Sequence, residues 1–155
     1  MVTILDMFRI DGSAAVVTGS GRGIGRSIAL ALAEAGADVV ITRRRAADVS
    51  AVAAEVRAVG RRAVEMPGDL REEGMPQRLA EQCLTHFGRL DIWVNNAGGT
   101  DHAHVQPLTA TTDEQMRDML ELNVIAAAAG SREAALRMTR GGAIVNIASG
   151  AGMRA

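Results

Sequence analysis

The stretch VVTGSGRGIG, residues 16–25, places four glycines within seven residues, directly after a run of β-forming residues. Glycine inside a regular element costs about 0.5–1 kcal/mol relative to alanine, because it loses more backbone freedom on folding. A tight turn or a close backbone approach to a ligand can offset that cost. The alternative is a flexible loop, so the neighbouring segments must decide between the three.

Strand-like and helix-like segments alternate along the chain around these glycines. Apolar runs predict strands over residues 14–18, 38–42, 62–66, 91–94 and 143–148. The segments between them carry apolar residues at helical spacing, which is typical of helices that cover both faces of a parallel sheet. At 155 residues the chain has the length of one domain. We therefore predict a single α/β domain, residues 1–155, with a doubly wound parallel sheet of five strands.

Local signals place the helix boundaries. Gly36 and Gly88 follow two of the apolar periodic segments and predict the ends of the first and third helices. Pro76 favours a helix start at the first turn. Thr111 and Glu114 have the Thr-x-x-Glu spacing of a capping box, so we expect a long helix to begin there.

Composition and charge exclude several classes of protein. The formal net charge of −1 gives no electrostatic attraction to nucleic acid or to an anionic membrane. No segment approaches a membrane span, and the first residues do not resemble a secretory signal, so we expect a cytoplasmic protein. The single cysteine, Cys83, excludes an internal disulfide and is predicted to be a buried packing residue rather than a reactive thiol. His102 and His104 lack a third ligand and are interpreted as part of a polar loop, so no metal site is predicted.

The glycine stretch lies between the first predicted strand and the first predicted helix, where open parallel sheets bind their ligands. The unpaired N–H groups and positive dipole end of that helix suit a pyrophosphate, and a side chain at the contact glycines would hold the phosphates away. The spacing G-x-G-x-x-G is not present. The spacing T-G-x-x-x-G-x-G is, through Thr18, Gly19, Gly23 and Gly25.

Further short motifs follow the other strands in order. Asp69 comes after the third strand and NNAG, residues 95–98, after the fourth; ELNV contains Asn123, and GGAIVNIAS ends in Ser149. Taken alone, each of these residues is as typical of a turn as of a site, but their order in one chain favours a site. Together with the glycine spacing, the pattern resembles the short-chain dehydrogenase/reductase family over almost the whole chain. The resemblance implies a Rossmann-type sheet and an oxidoreductase that interconverts an alcohol and a ketone by hydride transfer.

The resemblance also implies individual roles. Ser149 would polarise the substrate carbonyl or hydroxyl, and Asn123 would belong to the same catalytic set. Asp69 would contact the adenine, and the NNAG segment would support the sheet and line the cofactor groove. The implied cofactor-binding residues are Gly19, Ser20, Arg22, Gly23, Ile24, Gly25, Arg43, Arg44, Asp69, Leu70, Asn95, Ala97 and Gly98.

The residues after the second strand bear on the choice of cofactor. An acid there accepts hydrogen bonds from the adenosine ribose, whereas an arginine accommodates a 2′-phosphate. This chain has Arg43, Arg44 and Arg45 there, and Arg22 lies in the glycine loop. Three cations at a helix N-terminus oppose its dipole, so a counter-anion is expected, although a solvated arginine run is the alternative. Gly21 lacks the small hydroxyl that NADP-dependent relatives often have. We predict NADP(H) in preference to NAD(H).

Two residue types are absent from the 155 residues: tyrosine and lysine. In the family a tyrosine transfers the proton, and a lysine four residues later lowers its pKa from the ordinary value of about 10. Because the chain ends at Ala155, before the helix that would carry this pair, we expect a truncated reading frame and a domain incomplete at its C-terminus. The 155-residue chain would be inactive, and the complete protein would be a homo-oligomer acting on a small molecule. The alternative is a non-catalytic nucleotide-binding or regulatory module.

Overall fold

Five parallel strands form one sheet in the order β3-β2-β1-β4-β5. The computed structural model describes residues 4–99 and 107–150. The strands are β1 Ala14–Val17, β2 Asp38–Arg43, β3 Ala63–Pro67, β4 Ile92–Asn95 and β5 Ala143–Asn146. The helices are α1 Gly23–Glu34, α2 Ala46–Ala58, α3 Met75–Phe87, α4 Asp113–Leu120 and α5 Ala126–Arg137. The predicted five-stranded α/β fold is confirmed.

Strand order creates a crevice beside β1. The chain builds β1, β2 and β3 in one direction and then crosses back to place β4 on the other side of β1. Val17 is therefore in register with Ile41 of β2 on one side and with Val94 of β4 on the other. The loops that follow β1 and β4 diverge here, which makes the carboxyl edge of these two strands the expected ligand site.

Two apolar clusters hold the helices to the sheet, one on each face. Val16, Val40 and Trp93 point to one face and pack with Leu79 and Cys83 of α3. Successive strand residues point to the opposite face, where a second cluster joins β1, β2 and β4 to α1 and α2. This alternation explains why the strands read as continuous apolar runs.

Cys83 has the buried position that the sequence predicts. Its thiol is fully inaccessible, and Sγ donates to the Arg89 carbonyl at 3.3 Å. Burial raises the pKa of Cys83 to about 12. The thiol is therefore protonated and inert at neutral pH.

The predicted capping box is displaced by one residue. Thr112, not Thr111, caps α4: its hydroxyl accepts from the Gln115 N–H at 3.2 Å, and the Gln115 side chain accepts from the Thr112 N–H at 2.9 Å. Thr111 instead closes the short 3₁₀ turn Leu108–Ala110, through bonds to the Leu108 and Pro107 carbonyls. Its backbone N–H and hydroxyl are already engaged there, so the prediction of Thr111 and Glu114 was wrong.

The last helical segment is continuous and contains one π-helical turn. The π-helical turn Glu121–Ile125 joins α4 to α5 without a break in direction of the chain. Beyond it, β5 pairs with β4 and forms an edge of the sheet in the part of the chain that the structure describes. No helix within these residues is long and apolar enough to cross a bilayer.

Candidate cofactor site

A cavity of about 300 Å³ opens at the carboxyl ends of β1 to β4, beside the crevice between β1 and β4. All of the predicted cofactor residues line it except Ser20 and Asn95. Asn96 of the predicted NNAG segment also lines it, together with four residues that the prediction omitted: Thr42, Gly68, Arg71 and Leu122. The parallel sheet brings these residues together because every strand ends at the same edge.

The glycine loop supplies the floor of the cavity. Gly19 and Gly23 have φ values of +66° and +55°, in the left-handed region that glycine adopts without strain. Gly25 instead allows the backbone of α1 to approach the backbone of Gly19, because a Cβ there would lie 2.5 Å from the Gly19 carbonyl oxygen. Helix α1 begins at Gly23 with no side-chain cap and no acid in its first turn. Its first N–H groups and positive dipole end can therefore bind an anion.

Thr18 and Asn96 lock the glycine loop to the segment after β4. The Thr18 hydroxyl accepts from the backbone N–H groups of Asn96 and Ala97, at 2.9 and 3.0 Å. The Asn96 amide donates back to the Thr18 carbonyl at 2.8 Å. These bonds cross the crevice, so the two walls of the cavity are fixed relative to each other.

The two predicted residues that do not line the cavity support its walls. Ser20 is fully buried, and its hydroxyl accepts from the Thr42 N–H at 3.0 Å. Asn95 is also buried; its amide donates to Ser131 and Asn146, and its carbonyl oxygen accepts from Trp93 Nε1 at 2.7 Å. Both side chains are buried and neither lines the cavity, so a direct side-chain contact with a cofactor does not fit their position.

A cluster of arginines lies where β2 ends. Arg43, whose side chain is 17% exposed, lies with Nη1 3.2 Å from Asp48 Oδ2. That contact is outside hydrogen-bond geometry, and Arg43 Nη1 is buried without a hydrogen bond in the described protein. Burial lowers the pKa of Arg43, and repulsion from Arg22, Arg45 and Arg44 lowers it further, with Asp48 acting in the opposite direction. A buried cation among like charges favours a bound anion.

Gly21 makes room for this arrangement. A Cβ at Gly21 would lie 2.7 Å from Arg43 Cδ and 3.0 Å from Asp48 Cβ. No side chain fits there while Arg43 keeps its position. A residue with a small hydroxyl side chain at position 21 would therefore be incompatible with this placement of Arg43.

Asp69 lines the cavity but is already paired. Arg71 donates to both of its carboxylate oxygens, with Nη2 at 2.6 Å from Oδ2 and Nε at 3.1 Å from Oδ1. Hydrogen bonding from Arg71 lowers the pKa of Asp69 against the effect of burial. Arg71 also lies 3.4 Å from Asp118 and thus links the loop after β3 to α4. An arginine two residues after the aspartate permits this pair, but the spacing alone does not predict it.

The two predicted catalytic residues lie at different places. Asn123 sits in the π-helical turn, where its amide donates to the carbonyls of Gly99 and Met119, at 3.1 and 2.8 Å. Its side-chain oxygen accepts from the Gly99 N–H at 2.7 Å, so Asn123 fastens this turn to the segment after β4. Ser149 is exposed after β5, at the same edge of the sheet, and is not among the residues that line the cavity.

His102 and His104 lie outside the described residues. Within residues 4–99 and 107–150, no group of three or more histidine, cysteine or acidic side chains is arranged to hold a metal ion.

Comparisons with known proteins agree with this geometry. The family model for short chain dehydrogenases matches residues 13–155. An uncharacterised oxidoreductase of Mycobacterium tuberculosis (strain CDC 1551 / Oshkosh) is 44% identical over 149 residues, which is 94% of this chain and 56% of that protein.

Solved structures show the same fold. A 7α-hydroxysteroid dehydrogenase complexed with NADH and 7-oxo glycochenodeoxycholic acid superposes with a TM-score of 0.89 at 34% identity, over 97% of this chain and 58% of that one. A short chain dehydrogenase from Burkholderia cenocepacia J2315 in complex with NADP has a TM-score of 0.88 at 37% identity, over 94% and 59%. This chain thus spans a little over half the length of these relatives. With a family match over nearly its whole length, the chain belongs to the short-chain dehydrogenase family of oxidoreductases.

Proposed function

We propose that this chain is the cofactor-binding part of an NADP(H)-dependent short-chain dehydrogenase that interconverts an alcohol and a ketone. The observation that carries the cofactor choice is the arginine cluster after β2. Among residues 4–99 and 107–150, Arg43 Nη1 is buried without a hydrogen-bond partner, and Arg22 and Arg44 line the same cavity. A ribose 2′-phosphate would supply this cluster with an anion that can accept hydrogen bonds from several arginines. One relative is complexed with NADH and another with NADP, so the family alone does not decide the preference.

The residues present fit a dinucleotide. The uncapped start of α1 and the glycine loop would hold the pyrophosphate, since Gly19 to Gly25 present backbone rather than side chains. Asp69 and Leu70 would flank the adenine, and Ala97 and Gly98 would lie along the dinucleotide beyond the crevice. When bound, the nicotinamide supplies or accepts the hydride. The protein's part here is to fix the dinucleotide against the two locked walls.

A double variant tests the cofactor preference. Arg43→Asp with Arg44→Ala should abolish any preference for NADPH over NADH, because each lost charge-assisted hydrogen bond contributes about 1.5–3 kcal/mol. Binding to the chain is measured by titrating the fluorescence of each reduced cofactor. Arg117→Ala is the matched control, since Arg117 is a highly exposed arginine on α4. An unchanged ratio of the two dissociation constants in the double variant would refute the proposal.

We further propose that Ser149 and Asn123 belong to the catalytic set of the longer protein. Ser149 would hold the substrate oxygen by hydrogen bonding, and Asn123 would keep the π-helical turn in place beside Gly99. The 155 residues contain no tyrosine to transfer the proton and no lysine to assist it. Purified chain with NADPH and a panel of carbonyl compounds should therefore show no cofactor oxidation above the blank. Robust turnover that Ser149→Ala abolishes would contradict this expectation.

The second candidate is a non-catalytic nucleotide-binding or regulatory module, for which the cavity at the carboxyl edge of the sheet would suffice. The coding sequence after the Ala155 codon separates the two. A Tyr-x-x-x-Lys shortly downstream supports the enzyme, whereas a stop codon supports the module. For the enzyme we expect a cytoplasmic homo-oligomer with a small-molecule substrate.

A further inference from the structure

We propose that Asp48 sets how strongly this site prefers a 2′-phosphorylated nucleotide, by acting as a built-in counter-anion that competes with the phosphate for the charge of Arg43. The inference rests on the proposed function in one respect, that the cavity takes an adenine dinucleotide. In addition to the arginines that favour phosphate binding, the inference identifies one residue, Asp48, that opposes it.

Asp48 is placed to compete with a phosphate. It lies in the first turn of α2, with Oδ2 3.2 Å from Arg43 Nη1 and Oδ1 3.9 Å from Arg45 Nε. Its side chain is 23% exposed and that of Arg43 is 17% exposed, so solvent screens this pair less than an ordinary surface ion pair. A 2′-phosphate bound to Arg43 would bring its negative charge close to this carboxylate.

The backbone of Arg43 is held in place by contacts that do not involve Asp48. Its backbone is in register with Pro67 of β3, and its carbonyl accepts from the Gly68 N–H at 3.0 Å. Its side chain lies against Gly21, where no Cβ fits. Removing the Asp48 charge should therefore leave the guanidinium at the cavity wall.

The contact between Asp48 and Arg43 is also incomplete. Arg43 Nη1 lies within ion-pair distance of the carboxylate but makes no hydrogen bond to it. The carboxylate thus offsets the charge of Arg43 when no phosphate is present, and it leaves Nη1 without a hydrogen bond among the described residues. A nucleotide without a 2′-phosphate can then bind without leaving the buried guanidinium uncompensated. With Asp48 beside Arg43, the site should bind nucleotides with and without a 2′-phosphate, and its preference for the phosphorylated form should be reduced.

The simpler interpretation is that Asp48 only stabilises the start of α2. An acid in the first turn interacts favourably with the helix dipole. Such a role affects the stability of the fold but not the choice between two nucleotides that differ by one phosphate. The ratio of two affinities therefore separates the interpretations.

The test uses adenosine 2′,5′-bisphosphate and adenosine 5′-monophosphate, which differ only in the 2′-phosphate. Isothermal titration calorimetry measures both dissociation constants for the chain and for Asp48→Asn. The matched control is Glu55→Gln, since Glu55 is another acid of α2 and is hydrogen bonded to Arg26 of α1. Asp48→Ser is a second variant, which removes the charge and shortens the side chain.

We expect Asp48→Asn to raise selectivity for the bisphosphate about tenfold, the change expected from one improved charge-assisted hydrogen bond. Glu55→Gln should leave the selectivity unchanged. An unchanged or lower selectivity in both Asp48 variants overturns the inference, and so does an equal rise in Glu55→Gln, which would indicate a general charge effect.

The outcome for the unchanged chain tests the NADP(H) proposal separately. A chain that prefers the bisphosphate, with no response to the Asp48 variants, supports that proposal and overturns the inference. A chain without preference that acquires one in Asp48→Asn supports the inference and contradicts the NADP(H) proposal.

Discussion

Gly23 and Gly25 of the glycine loop should differ in how alanine and asparagine substitutions change the free energy of unfolding. At Gly25 the limit is space: a Cβ would lie 2.5 Å from the Gly19 carbonyl oxygen and would also meet the Asn96 side-chain amide. At Gly23 nothing lies within 4 Å of the added Cβ, but φ is +55°. One position excludes volume, and the other excludes most backbone conformations of L-residues.

The expected loss for Gly25→Ala follows from these contacts. Overpacking costs about 1–3 kcal/mol, and weakening the Asn96 bond to the Thr18 carbonyl costs about 0.5–1.5 kcal/mol more. The better helix propensity of alanine returns about 0.5–1 kcal/mol. The free energy of unfolding should therefore fall by about 2 kcal/mol. Gly23→Ala should cost about 1–2 kcal/mol through left-handed strain alone.

Asparagine distinguishes the two causes, since it tolerates the left-handed region better than alanine does. Gly23→Asn should recover most of the loss seen in Gly23→Ala, whereas Gly25→Asn should be worse than Gly25→Ala because the side chain is larger. Urea unfolding followed by far-ultraviolet circular dichroism gives all four free energies. The reasoning is refuted if Gly25→Ala unfolds at the same urea concentration as the parent, or if asparagine is equally damaging at both positions.

Three further predictions concern stability and association. Burial tends to raise the pKa of Asp38, but hydrogen bonds from Arg62 and the charge of Arg61 outweigh it and lower the pKa. The ionised Asp38 thus stabilises the fold above its ordinary pKa of about 3.9 and loses this effect as the pH falls below that value. The midpoint of thermal denaturation should therefore depend less on pH below about 4 in Asp38→Asn than in the parent. The same pH dependence in both proteins would contradict this. Thr112→Ala should cost about 1 kcal/mol in denaturant unfolding through loss of the α4 cap, more than Thr111→Ala, and equal losses would argue against the observed cap. Val145 is 43% exposed on the edge strand β5, so the 155-residue chain should self-associate in size-exclusion chromatography with light scattering, and Val145→Lys should reduce this; an unchanged distribution would rule out the edge as the cause.

The fold could be predicted from the sequence because its signals are local. Each strand is a short apolar run, and the observed strands begin and end within two residues of the predicted positions. Gly36 and Gly88 both have positive φ after a helix, as their positions in the sequence indicated. The capping box was misplaced because Thr111 and Thr112 are adjacent hydroxyl residues. Only the preceding turn, which uses Thr111, decides between them.

The site was predictable to the level of the loops that form it, but not to the level of side-chain pairs. The motif spacing identified the glycine loop and Asp69, whereas the pairing of Asp69 with Arg71 depends on side-chain conformations that spacing does not encode. Asp48 lies in the helical segment after the second strand, and its approach to Arg43 depends on how the two elements pack, which the sequence does not specify. Ser20 lies at an unspecified position of the glycine motif, and only the structure shows that its hydroxyl accepts a hydrogen bond from the backbone of β2.

The core face that holds α3 contains the chain's one tryptophan and its one cysteine, Trp93 and Cys83. Both are fully buried, and with its pKa near 12 the thiol reacts only when α3 opens away from the sheet. The rate of Cys83 alkylation therefore measures how often this face opens, while the emission of Trp93 follows its complete unfolding. The natural sequence thus provides two single-site reporters, one chemical and one optical, on the same face of the sheet. A change in the opening of this face on addition of a nucleotide can be measured with them without introducing any label.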